Sequence, residues 1–134
     1  LIGPFFLPQA LLPMINDGVR ILNVSSGLTR MTFPGFSAYA SMKSAVETLT
    51  MYLARELGER KISVNTLAPG AIETDFGGGY VRDTAEVNQH LADITALGRV
   101  GLPDDIGGAV AALLADGTAW INAQRIEVSG GQNI

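Results

Sequence analysis

Apolar positions along the chain follow two rhythms. Within residues 38–57, Val46, Leu49, Leu53 and Leu57 recur at three- and four-residue intervals on one stripe, and Ala45, Thr48 and Tyr52 form a second, partly apolar one. That spacing predicts a long helix covered on more than one side. Ser37 is placed to cap its start and Gly58 to stop it. Two compact apolar runs, RILNV at 20–24 and ISVNTL at 62–67, end in Ser25-Ser26-Gly27 and Ala68-Pro69-Gly70 and predict buried strands. A third strand is expected at Arg125–Val128, before Gly130-Gly131. Residues 1–15 are mostly apolar and predict a helix that must tolerate Pro8 and Pro13 near turns or a kink. Asn16-Asp17-Gly18 reads as a turn, residues 28–36 as a loop bent at Pro34-Gly35, and residues 76–80 as a glycine-rich loop. Val87, Leu91 and Ile94 mark a short amphipathic helix. Pro103 opens another that runs to about Ala115, with Asp104 and Asp105 at its positive end.

Strands alternating with helices imply right-handed parallel crossovers and an α/β layered sheet. A length of 134 residues suits one domain. Three strands make a thin sheet with an open edge. The first residue is Leu1, already in apolar sequence, so residues 1–134 are expected to be one partial domain of a longer polypeptide. Hydrophobic residues at 47% and charged ones at 16% exclude a disordered segment. A net charge of −4 with no basic block argues against nucleic acid or an anionic membrane surface as partner. No run reaches the ~18 apolar residues of a membrane span, and the opening stretch lacks the basic front of a signal peptide. Cysteine is absent, which excludes disulfides and thiolate metal sites and fits a reducing cytosol.

Candidate chemistry centres on Y-A-S-M-K at 39–43. On a helix, Tyr39 and Lys43 share a face one turn apart. The ammonium favours the phenolate and lowers a pKa of about 10, so the phenol can give or take a proton at an alcohol or carbonyl. Ser26 falls at a strand end, where the site residues of open α/β sheets collect, and could hold the same oxygen. A Tyr-x-x-x-Lys pair alone is common on helices. What makes it informative is the order: strand, Ser-Ser-Gly, loop, Tyr-x-x-x-Lys opening a helix, then a strand ending in Pro-Gly. His90, the single histidine, reads as a solvated side chain, and no G-x-S-x-G elbow supports a hydrolase. Asp104, Asp105 and Asp116 read as helix-end charges, with no metal site.

The blocks ILNVSSG, YASMKSAVETLTMYLARELGERKISVNTLAPGAIETDF, GRVGLPDDIGGAVAALLAD and QRIEVSGG occur in that order. They resemble the short-chain dehydrogenase/reductase family, particularly its 3-oxoacyl-carrier-protein-reductase-like members, and the interval of 13 from Ser26 to Tyr39 matches the family's. The resemblance implies the C-terminal part of a Rossmann-like doubly wound parallel sheet, with the N-terminal dinucleotide-binding half absent from these residues. It implies Tyr39 as catalytic acid/base and Lys43 as the residue that tunes it and binds the nicotinamide ribose. Ser26, rather than Ser25, would orient the substrate carbonyl. Pro69 and Gly70 would form the turn beside the nicotinamide. Ile72 would meet the carboxamide through its backbone, and Thr74 through its hydroxyl or the nearby phosphate. Asn65 would be structural, and residues 76–97 a substrate lid. The implied activity interconverts a small-molecule ketone and secondary alcohol with NAD(P), weighted to NADP. The implied setting is a cytoplasmic homodimer or homotetramer built through the first helix and the Tyr39 helix.

Departures from the family pattern are specific. The glycine-rich dinucleotide turn, the residue selecting NAD or NADP and the Asn-Ala-Gly segment do not occur in these residues. Gly77-Gly78-Gly79 is no substitute, because it does not join a strand to a helix in the required way. Ala123 precedes Gln124 where relatives usually carry glycine, which bears on the local backbone turn rather than the chemistry. A second reading, from another class, is an inactive C-terminal half that self-associates and binds the dinucleotide poorly.

Overall fold

The computed structural model describes residues 1–134. In chain order its main elements are α1 (Ile2–Leu11), β1 (Arg20–Val24), α2 (Ser37–Glu56), β2 (Ser63–Pro69), α3 (Tyr80–Asp83), α4 (Ala85–Asp93), α5 (Pro103–Leu114) and β3 (Arg125–Val128). The strands form one parallel sheet in the order β1-β2-β3. Arg20 lies opposite Ser63 and Val24 opposite Leu67, while Thr66 lies opposite Arg125 and Pro69 opposite Val128. The central strand β2 is buried at every position but its last. A parallel strand covered on both faces requires a continuous apolar run, which explains why ISVNTL does not alternate. The expected α/β sheet therefore forms, with β2 extending two residues further, through Pro69.

The core gathers where α2 crosses β2: Ala54, Leu57, Ile62 and Val64 are buried together, with Leu12, Ile15, Val19, Ile21 and Leu53 packed around them. Full burial of each Val, Leu or Ile side chain contributes about 1.5–3 kcal/mol. Val46, Thr50 and Ala54, four residues apart, are the buried stripe of α2. Thr48 and Tyr52 of the second stripe are exposed, so this chain covers α2 on one side only, contrary to the two-sided expectation.

Helix ends differ from the sequence expectation for local reasons. α1 stops at Leu11 and includes Pro8. Phe36, not Ser37, takes the N-cap position of α2, and no side chain caps it. The Ala40 N–H already bonds the Phe36 carbonyl at 2.8 Å, so the first turn begins one residue earlier than a Ser37 cap requires. At the other end α2 stops at Glu56 with Leu57 as C-cap, beside Gly58 as expected, but Gly58 is not the left-handed residue. A 3₁₀ turn, Gly58–Arg60, absorbs the free carbonyls, and Lys61 takes the left-handed conformation at φ 56. The Phe76–Gly79 segment is a tight turn whose three glycines all have positive φ, and it runs into α3. Pro103 occupies the start of α5 as expected, and the Asp105 carboxylate accepts the Leu102 N–H at 2.7 Å. No helix is long and apolar enough to cross a membrane.

Candidate active site

Three segments meet at the edge of the sheet where parallel strands end. β1 hands over to Ser25 and Ser26, both buried. Ser26 caps the short turn Gly27–Thr29 by accepting the Leu28 N–H on Oγ at 3.2 Å. Its own hydroxyl proton remains free to donate. Ser25, by contrast, is committed, with its Oγ bonded to Glu47 Oε1 at 2.6 Å. Among the two serines, Ser26 alone keeps a donor for a ligand.

Tyr39 and Lys43 occupy the first two turns of α2. Lys43 Nζ donates to the Val24 carbonyl at 2.9 Å and lies 5.6 Å from the centre of the Tyr39 ring, within cation–π range. The amine thus links the phenol's helix to the strand end that carries Ser26. The Tyr39 ring is flanked by Phe36, edge-on with centroids 6.5 Å apart, and by Phe76, tilted at 5.7 Å. No direct hydrogen bond joins Tyr39 to Ser26 or Lys43. The phenol oxygen has no partner within the chain.

The third segment is Pro69–Thr74, which leaves β2. A Cβ on Gly27 would stand 3.2 Å from the Pro69 carbonyl oxygen and 2.6 Å from Met31 Cε, so glycine lets the Ser26 turn approach the Pro69–Gly70 turn. A Cβ on Gly70 would fall 2.8 Å from the Ser129 Cα, a backbone collision. Ile72 pairs with Gly101 as an isolated parallel bridge. The bonds of that bridge use the Ala71 carbonyl and the Glu73 N–H. Ile72's own N–H and C=O therefore face the opposite side, unused, as one donor beside one acceptor. A primary carboxamide presents the complementary pair. Thr74 Oγ1 accepts the Phe76 N–H at 3.2 Å and keeps its proton. Lys43 has two N–H bonds to spare. The residues present therefore fit a nicotinamide riboside on its amide and ribose sides.

Behind Ser26 lies a run of alternating charge. Glu47 Oε1 accepts from Ser25 Oγ, from Thr29 Oγ1 at 2.7 Å and from Arg125 Nε at 2.9 Å. Arg125 also donates to Glu127, and Arg30 grips both Glu127 oxygens at 2.6 and 2.8 Å. Arg30, with help from Ser129 and Arg125, holds the Glu127 carboxyl down to about 2. Farther away, Arg99 pairs with Asp105 through both carboxylate oxygens and holds it at about 2. His90 is exposed on α4. Asn65 ties the loop before β3 to β2, donating to the Ile121 carbonyl at 2.7 Å and accepting the Gln124 N–H at 3.0 Å.

A family profile described as Enoyl-(Acyl carrier protein) reductase matches residues 1–133. A short-chain dehydrogenase/reductase from Serratia marcescens superposes with a TM-score of 0.90 at 32% identity, over 100% of this chain and 54% of that one. This chain belongs to the short-chain dehydrogenase/reductase family. Another solved member, the angucycline C-6 ketoreductase LanV with bound NADP, superposes with a TM-score of 0.90 at 37% identity, covering 98% of this chain and 50% of that one. The tetrahydroxynaphthalene reductase PfmaG of Pestalotiopsis fici is 37% identical over 140 residues, 96% of this chain and 50% of the relative. The chain spans about half the length of the curated relatives it matches. Its three parallel strands and helices are accordingly a Rossmann-like portion of the short-chain dehydrogenase/reductase fold.

Within this short-chain dehydrogenase/reductase chain, Phe36, Phe76 and the Glu47–Arg125 cluster are neighbours of the site that sequence reasoning missed. Glu47 carried a signal, since it lies one helical turn beyond Lys43 on the same face. Phe76 carried none, because its contact with Tyr39 depends on how the glycine turn folds back.

Proposed function

We propose that this chain is the catalytic and substrate-binding C-terminal portion, residues 1–134 as one partial domain, of an NAD(P)-dependent oxidoreductase. The reaction interconverts a small-molecule ketone and a secondary alcohol. The observation that carries this reading is the Lys43 bridge: one ammonium bonded to the Val24 carbonyl at 2.9 Å and 5.6 Å from the Tyr39 ring, two residues from Ser26. When bound, the nicotinamide supplies or removes the hydride at the carbonyl carbon. Tyr39 gives its proton to the carbonyl oxygen during reduction and takes one back during oxidation. Ser26 donates its free hydroxyl proton to the same oxygen and orients it. Lys43 holds positive charge beside the phenol as its proton leaves and offers its remaining N–H bonds to the ribose hydroxyls. Pro69 and Gly70 shape the turn beside the ring. Ile72 takes the carboxamide with its backbone pair, and Thr74 adds its hydroxyl. NADP is the favoured cofactor, supported by the NADP bound to LanV. The protein works in the cytoplasm as a homodimer or homotetramer.

Tyr39→Phe tests the assignment. In the protein at its full natural length, turnover of 1-tetralone with NADPH should fall by about 10²-fold or more, with cofactor affinity near that of the parent. Retained turnover refutes the acid/base role. A second reading, an inactive self-associating half, draws on one fact: no glycine-rich dinucleotide turn occurs in these 134 residues. Fluorescence titration of NADPH and NADH against the 134-residue polypeptide separates the two. Tight binding excludes the inactive half.

A further inference from the structure

The charged cluster behind Ser26 is left over by the roles above. α2 is fastened to the end of β1 at three points: Asn23 Nδ2 on Thr50 Oγ1 at 2.9 Å, Lys43 Nζ on the Val24 carbonyl at 2.9 Å, and Ser25 Oγ on Glu47 Oε1 at 2.6 Å. Tyr39, Lys43 and Glu47 follow one another at single turns on this face. The Glu47 oxygen that holds Ser25 also takes Thr29 Oγ1 at 2.7 Å and Arg125 Nε at 2.9 Å. Arg125 reaches the Ser26 carbonyl itself at 3.3 Å. One carboxylate oxygen therefore grips the chain on both sides of Ser26. The chain of contacts continues through Glu127 to Arg30, which donates to the Gln132 carbonyl at 2.6 Å. Gln132 Oε1 in turn accepts the Ala71 N–H at 3.0 Å, beside the Gly70 turn.

We propose that Glu47 is the positioning residue of this site: balanced by Arg125, its carboxylate locks the Ser25–Thr29 turn against α2 so that the Ser26 and Tyr39 hydroxyls address one substrate oxygen. The inference rests on the reading of Ser26 and Tyr39 as the groups that handle that oxygen. Glu47 and Arg125 keep side-chain exposures of only 20% and 26%, so removing the carboxylate alone leaves desolvated donors behind and lowers stability as well. The consequence for the reaction is geometric. Three donors converge on one acceptor, and a misplacement of about 1 Å in a reacting group costs about 10²-fold in rate.

The test is a variant cycle in the protein at its full natural length, with 1-tetralone and NADPH. Glu47→Ala should lower kcat by about tenfold or more while the KM for NADPH stays within about twofold, because Glu47 bonds neither Lys43 Nζ nor the Ile72 backbone, the groups proposed to hold the cofactor. Adding Arg125→Ala removes the guanidinium that Glu47→Ala leaves paired with Glu127 alone. The melting midpoint should then recover, and kcat should not. Recovery of kcat together with the midpoint would make the pair a stability element and overturn the inference, as would a Glu47→Ala kcat within about twofold of the parent. If Glu47→Ala does not fold, Glu47→Gln decides. Its amide oxygen still accepts from Ser25 or Thr29 but cannot balance Arg125, so kcat should drop about threefold or more, and an unchanged kcat overturns the inference. Tyr39→Phe in the same assay keeps the two ideas apart. Activity in Tyr39→Phe removes the acid/base reading, whereas an inactive Tyr39→Phe beside a fully active Glu47→Ala removes only the positioning role.

Discussion

Ala123 holds a backbone conformation that its side chain resists. Its φ is +58, in the left-handed region. Its N–H is fixed on the Val64 carbonyl at 2.9 Å, and the neighbouring Gln124 N–H on Asn65 Oδ1 at 3.0 Å, so the loop cannot relax. A left-handed Cβ costs about 1–2 kcal/mol, partly offset in glycine by about 0.5–1 kcal/mol of added unfolded-state entropy. Ala123→Gly should therefore stabilise the chain by up to about 1 kcal/mol, seen as a higher urea midpoint at unchanged slope. A lower midpoint would contradict the strain. The sequence makes the missing glycine legible; that the turn persists without it depends on Asn65 and Val64 across the sheet. Ser26, Tyr39 and Lys43 are legible for a related reason, since a strand end and one helical turn are local patterns. Phe36 and Phe76 are not, because ring packing against Tyr39 is settled by tertiary approach.

Element registers depend on polar groups that hydrophobic periodicity does not report. Thr50 sits in the buried stripe of α2, where its hydroxyl donates to the Val46 carbonyl and accepts from Asn23 and Thr66 at 2.9 and 2.7 Å. Periodicity assigns Val46, Leu49 and Leu53 to the covered face and passes over Thr50. Thr50→Val keeps the shape but strands two donors, and should cost about 1–3 kcal/mol by chemical denaturation. A neutral result would mean that the hydroxyl does not set how α2 lies on β1 and β2. Helix ends are similarly hard to read. Ser37 and Gly58 are good capping residues, yet the Phe36 carbonyl and a 3₁₀ turn take over those functions. Between β3 and the Gly27–Thr29 turn, Glu127 makes a pH-dependent link. Its carboxyl is held at about 2, below its ordinary 4.5, chiefly by Arg30. A depressed folded value means that the link contributes fully above about pH 4.5 and is lost as pH falls toward 2. Its worth is at most about 3 kcal/mol, and screening at the more exposed Arg30 brings it nearer 1 kcal/mol. Melting midpoints from pH 6 to 2.5 should fall more steeply for the parent than for Glu127→Gln, whereas parallel curves would show no such link.

At the scale of the whole molecule, apolar surface exceeds what this chain can cover. α1 buries only Pro8, and Ile2, Phe5, Phe6, Leu7 and Met14 are exposed along it or just beyond. Met42, Met51 and Tyr52 of α2 are exposed as well. These two helices touch, so their uncovered faces can combine into one apolar patch of the kind that marks an interaction surface. The composition foreshadows this, since 47% hydrophobic residues are many for a chain of 134. Which residues remain uncovered follows from the fold. If a second copy covers the patch, the isologous contact repeats α1 and α2 across a twofold axis, and each exposed ring is buried once in each protomer. Sedimentation of the 134-residue chain at micromolar concentration should then show a dimer or larger species. Phe6→Lys, which adds a charge to each side of such a contact, should shift it toward monomer without loss of helix signal in circular dichroism. A monodisperse parent monomer at that concentration would refute self-association through these helices. An oligomer unaffected by Phe6→Lys would move the contact elsewhere on the molecule.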